Sequence, residues 1–187
     1  MARLILVNGA PGTGKSTLAR RYADEHPLTV ALDIDLVRSL VGSWREHPGD
    51  AGRLGRRLAV AMIRQVIGEG RDVIIPQLLG RPGFVEELAT VAAELQVPFV
   101  EVVITTPPGT AERRFRSRSA AAADDDHQVA DAAAAPDVDE LIARYRAGID
   151  QVAAARPGTV HIENADGEGD QAYTALVTAV ERAEVPS

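Results

Sequence analysis

At 187 residues with a formal net charge of −7 and no cysteine, the chain has the length of one domain and excludes disulfide or thiol chemistry. Its 45% hydrophobic and 25% charged content is that of a core-forming globular sequence, while the acidic excess argues against a general binder of nucleic acid or anionic membrane. No apolar run reaches membrane-spanning length, and Leu4 to Val7 is too short for a signal-peptide core, so the expected compartment is the cytoplasm and no membrane partner is expected.

In chain order, Arg3 to Val7 reads as a buried parallel strand and Ser16 to Ala23 as the helix that follows it. Between them lies Gly9-Ala10-Pro11-Gly12-Thr13-Gly14-Lys15-Ser16, a complete G-x-x-x-x-G-K-[ST] phosphate loop. Lys15 is the single lysine; the other nineteen basic residues are arginine. A compact ammonium on a flexible stem reaches between β- and γ-phosphates where a planar guanidinium does not fit. The expected nucleotide contacts are Gly9, Ala10, Pro11, Gly12, Thr13, Gly14, Lys15, Ser16 and Thr17, with the Ser16 hydroxyl as a Mg²⁺ ligand. Guanine recognition by an N-K-x-D motif is impossible with no second lysine, which sets a GTPase switch aside.

A second strand, Leu28 to Leu32, ends on Asp33-Ile34-Asp35. In open parallel sheets ligands gather beyond the strands' C-terminal ends, so both carboxylates are expected beside the γ-phosphate. Read as extended chain, positions 33 and 35 project to one side: one carboxylate can hold Mg²⁺ through water, the other can take a proton from an acceptor hydroxyl. The structural alternative makes Asp35 a helix N-cap. Next come a helix from Asp50 to about Glu69, with Leu54, Leu58, Ala61, Met62, Gln65 and Val66 at helical spacing, and a strand Asp72 to Ile75 closed by Pro76-Gln77. A helix from Pro82 to Leu95, a strand from Pro98 to Ile104 and a helix from Pro108 to Arg118 follow. The last elements are a helix from Asp137 to Ala155, a strand Thr159 to Ile162 and a helix Asp170 to Ala183. Alternating strands and helices imply a five-stranded parallel sheet in an α/β three-layer sandwich.

Arg113, Arg114, Arg116 and Arg118 form the densest cationic cluster, and the alanine- and aspartate-rich segment behind it reads either as an exposed connector or as a helical lid over 116–136. Arginines on a closing lid neutralise a transferring phosphoryl group. Spacing of i and i+4 selects Arg114 and Arg118. Arg144 and Arg146 are further phosphate candidates, and Asn164, after the last strand, is expected near the adenine.

The loop Gly9 to Ser16, the segment Leu32 to Arg38 and the arginines before a lid together resemble the small P-loop kinases of the nucleoside-monophosphate-kinase-like group, which includes shikimate kinase, gluconate kinase and chloramphenicol phosphotransferase. The resemblance implies one P-loop kinase domain over 1–187 that moves the γ-phosphoryl of ATP to a hydroxyl of a small metabolite, nucleoside or antibiotic. It implies Asp35 as general base and Asp33 beside the Mg²⁺; the residues read beside it give Lys15, Arg114 and Arg118 as charge stabilisers and place Asp35, Arg38 and Gln77 toward the acceptor. Two departures limit it: Pro76-Gln77 stands where a Walker B acid is usual, which also argues against an AAA-type motor or regulatory module, and the Gly-Gly-Gly substrate loop of shikimate kinase is missing. A nucleic-acid-end or sugar-nucleotide kinase and a catalytically silent nucleotide binder remain as alternatives, and the oligomeric state is open.

Overall fold

A computed structural model describes residues 1–121 and 137–183, with the side chains of 118–121 left undescribed. The strands are β1 (Leu4–Asn8), β2 (Val30–Ala31), β3 (Val73–Gln77), β4 (Phe99–Thr105) and β5 (Val160–Glu163). They form one all-parallel sheet in the order β2-β3-β1-β4-β5. The helices are α1 (Lys15–Glu25), α2 (Ile34–Ser39), α3 (Pro48–Gly68), α4 (Pro82–Glu94), α5 (Thr110–Ala121), α6 (Val138–Ala154) and α7 (Gly169–Glu181). Among the described residues no helix is long and apolar enough to cross a membrane.

Strand alternation divides the core. Leu4, Leu6, Val73 and Ile75 face α3 and α4, while Ile5, Val7, Ile74, Val102 and Ile104 face α1 and α7. Every residue of β1 is buried because the strand is central and covered on both faces. A smaller cluster of Ala10, Val103, Phe115, Ile142 and Ile149 packs α5 and α6 over the C-terminal end of the sheet. Pro76 sits within β3 at no cost in sheet pairing, since β2 ends opposite Ile74 and leaves β3 unpartnered on that side beyond it.

Two sequence expectations change. The second strand shrinks to Val30–Ala31, and the carboxylates beyond it lie in a cap and helix rather than in extended chain. The buried stripe of α3 is Ala51, Gly55, Ala59, Ile63 and Ile67, whereas Leu54, Leu58 and Met62 are exposed. Small residues win that face because α2 lies close: a Cβ on Gly55 would stand 3.1 Å from Arg38 Cα. The lid expected over 116–136 falls largely outside the described residues, which include only the 116–121 end, in α5.

Candidate functional site

The phosphate loop joins the end of β1 to the start of α1 in the position the sequence requires. Gly12 and Gly14 have φ of 82° and 88°, a region closed to most side chains. Space forbids side chains there as well: a Cβ on Gly12 would lie 2.2 Å from Ala111 O, and one on Gly14 2.5 Å from Asn164 Nδ2. The loop is therefore pressed between the first turn of α5 and the turn after β5. Within it, Thr13 donates to Ala10 O from both its N–H (3.3 Å) and its hydroxyl (2.9 Å). Gly14 caps α1 without a side chain, so the orphan N–H groups of the first turn remain for an anion at the positive end of the helix dipole. Lys15 is 4% exposed, and Ser16 and Thr17 are exposed on that first turn.

Asn8 carries this loop, and the sequence reading missed it. Its side chain is fully buried and makes three hydrogen bonds of 2.9 Å: Oδ1 accepts from Gly9 N and Leu79 N, and Nδ2 donates to Leu79 O. The available signal was a lone amide closing an otherwise apolar strand. A buried amide of this kind must find backbone partners, and here they lie on the loop after β3.

Asp33, not Asp35, is the N-cap of α2. Its Oδ1 accepts from Asp35 N at 2.9 Å and Leu36 N at 3.4 Å, and Asp35 falls in the first helical turn. Burial raises the Asp33 carboxyl above its ordinary value; the two backbone donors and the charge of Lys15 oppose that rise, and the charge of Asp35 adds to it. Lys15, Asp33 and Asp35 thus form one electrostatic group at the sheet's C-terminal edge. Asp35 Oδ2 accepts from Gln77 Nε2 at 3.2 Å, and its Oδ1 is 3.5 Å from the Arg38 guanidinium. Asp35, Arg38 and Gln77, all expected at the acceptor, line one cavity of about 180 Å³.

The described arginines of α5 divide between two carboxylates. Arg114 and its neighbour Arg113 both bind Asp166, and Arg114 also donates to Asn164 O at 3.2 Å. The hydrogen bond from Arg114 holds the Asp166 carboxyl below its ordinary value. Arg116 turns away to Asp139, and the Arg118 side chain lies outside the described residues. Arg146 pairs with Glu112 at 3.0 Å beside a cavity of about 160 Å³ bounded by Ala10 and Thr13, while Arg144 is exposed. Asn164, expected near the adenine, is 7% exposed and donates its amide to Thr13 O at 2.8 Å, so it clamps the phosphate loop. The chain Arg114, Asn164, Thr13 ties α5 to that loop.

Among the described residues no three His, Asp or Glu side chains gather as a metal cluster. One hydroxyl, Ser16, and one partly occupied carboxylate, Asp33, suit Mg²⁺, which keeps several waters and takes its remaining oxygens from phosphates.

Comparison with known proteins agrees with this fold. A family model for the AAA domain (AAA_33) matches residues 4–141. The name belongs to a class set aside above for lack of a Walker B acid. That exclusion fails for family membership, although β3 does end in Pro76-Gln77. Uncharacterized proteins of Mycobacterium tuberculosis and Mycobacterium bovis are 31% identical over 148 residues, a match covering 73% of this chain and 30% of theirs. The chain therefore spans under a third of the length of these relatives. Among solved structures, the Deinococcus radiodurans tunicamycin resistance protein superposes with a TM-score of 0.61 at 14% identity, covering 98% of this chain and 99% of that one. A gluconokinase from Sinorhizobium meliloti gives 0.57 at 15%, covering 96% and 92%. A chain of the Pnkp1/Rnl/Hen1 RNA repair complex gives 0.59 at 16%, covering 80% and 46%. These likenesses are of fold.

Proposed function

The chain belongs to the AAA_33 family of P-loop domains, and from that premise we propose that it is an ATP-dependent phosphotransferase moving the γ-phosphoryl group to a hydroxyl of a small molecule. The observation that carries this reading is the meeting, at one sheet edge, of the phosphate loop with Lys15 and a half-buried carboxylate, Asp35, that lines its own cavity. A nucleotide-binding partner protein has no need of the second feature.

In the proposed reaction the loop N–H groups of Gly9 to Ser16 hold the phosphates and Lys15 faces the γ-phosphate. Ser16 and Asp33 would hold Mg²⁺, which when bound neutralises phosphate charge. Asp35, oriented by Gln77 Nε2 and Arg38, accepts the proton of the acceptor hydroxyl. The hydroxyl oxygen bonds to the γ-phosphorus, the bridging P–O bond breaks, and its electron pair leaves with the β-phosphate of ADP. Arg114 and Arg118 are proposed to neutralise the transferring group; Arg114 already stands beside the loop through Asn164. Consumption of ATP fits the cytoplasmic compartment expected from the sequence.

The test pairs ADP release with direct ATP binding. Asp35→Asn should lower phosphoryl transfer by about 10²–10⁴-fold with ATP affinity nearly unchanged, and Lys15→Ala should damage both. Normal turnover by Asp35→Asn on an acceptor used by the parent protein would refute the base assignment. Likeness to the RNA repair chain favours a second reading, transfer to a nucleic-acid end, which a 5′-hydroxyl oligonucleotide tests in the same assay.

A further inference from the structure

Two residues that line the acceptor cavity each carry an unsatisfied polar atom, and the two atoms are of opposite kind. Arg38 Nε, a donor, and Gln77 Oε1, an acceptor, are both buried without a hydrogen-bond partner. Burying such atoms unpaired is costly, and beside a cavity a ligand or an ordered water can supply the partner. The Gln77 amide is not free to exchange its ends, because Nε2 donates to Asp35 and a carboxylate accepts only. Arg38 is equally fixed: its guanidinium lies 4.7 Å over the Trp44 ring, and α3 presses its backbone at Gly55. Arg56, next to Gly55 on α3, brings a second guanidinium to the cavity wall, 5.7 Å over Phe84, and among the described residues no carboxylate pairs with it. Two guanidiniums thus face a single carboxylate inside a chain of net charge −7. The cavity, at about 180 Å³, lies below the roughly 300–1,000 Å³ of sites for drug-sized ligands.

Building on the phosphotransfer reading, we propose that the acceptor is a small polyhydroxylated anion, whose carboxylate or phosphate group pairs with Arg38 and Arg56, whose reacting hydroxyl meets Asp35, and whose second hydroxyl donates to Gln77 Oε1. The anion satisfies Arg38 Nε with a charge-assisted bond, and the second hydroxyl satisfies Gln77 without competing for the base. Nucleosides and bulky antibiotics, both open choices from sequence, are too large or lack the anion.

The test is ADP release from ATP with matched acceptors: sugar acids, sugar phosphates, the corresponding neutral polyols, deoxy analogues lacking one hydroxyl, nucleosides, antibiotics and a 5′-hydroxyl oligonucleotide. Anionic polyols should exceed their neutral counterparts in kcat/KM, and the sugar-acid and sugar-phosphate arms identify which anion is held. Arg56→Ala, at an exposed position that should fold normally by thermal melting, should shrink that preference on the order of ten- to a hundredfold, with Arg56→Lys intermediate. Equal or better turnover of neutral polyols, nucleosides, antibiotics or the oligonucleotide, with a preference untouched by Arg56→Ala, overturns the anion inference and leaves phosphotransfer standing. Tight ATP binding with no acceptor stimulating ADP release overturns the phosphotransfer reading, and this inference with it.

Discussion

Replacing Asn8 by alanine removes a side chain that joins the phosphate loop to the wall of the acceptor cavity. Three hydrogen bonds disappear at once, leaving the buried Gly9 N and the half-buried Leu79 N and Leu79 O without their partner. At about 1 kcal/mol net per bond the loss is about 3 kcal/mol, a lower figure than full desolvation of each orphaned group would give. For a chain of this length that corresponds to a fall in Tm of roughly 6–12 °C. Urea unfolding monitored by circular dichroism measures it directly, with an unchanged m-value confirming that both end states are comparable. Asn8→Asp separates the bonds: it keeps two acceptances but sets a carboxylate against Leu79 O, and should be no more stable than Asn8→Ala. KM should rise for ATP and for the acceptor together, because Leu79 lines the cavity. A stability loss below about 1 kcal/mol for Asn8→Ala would show that water or a backbone shift replaces the amide, and the linkage argument would fail.

Other consequences are open to the same methods. Gly12→Ala should destabilise clearly more than Gly109→Ala: both have positive φ, but the first Cβ lies 2.2 Å from Ala111 O and the second meets nothing within 4 Å. The control should cost about 1–2 kcal/mol from backbone strain alone, and equal losses in urea would refute the close packing of loop on α5. Burial raises the Asp33 carboxyl above its ordinary 3.8, so the folded chain favours the protonated form, and that contribution is lost as pH rises through the raised value. Asp33→Asn keeps an oxygen for Asp35 N and Leu36 N and should gain in Tm relative to the parent between pH 3.8 and neutrality; a difference that stays flat or falls over that range would contradict the burial argument.

Local chemistry makes the strand, loop and helix around Lys15 legible from the amino-acid order alone, because glycine spacing and a Lys-Ser pair encode a phosphate cradle within eight residues. Alternation of strand and helix signals likewise determines a parallel sheet. Residues 33 and 35 are recognisable as chemical groups, but their roles are not: whether Asp33 caps a helix or ends a strand depends on where β2 stops pairing with β3. The buried face of α3 is misread for a related reason. Leu54, Leu58 and Met62 carry the stronger hydrophobic signal, but the approach of α2 selects the smaller residues of the Ala51 to Ile67 stripe. Asn8, Asn164 and Arg56 gain their significance from partners 71 and 151 positions away for the first two, and from a cavity wall for the third. A sequence states which groups exist and their local periodicity. Only the packed sheet decides which of them lose water together, and that loss turns Asn8 into a strut and leaves Arg38 Nε buried without a partner.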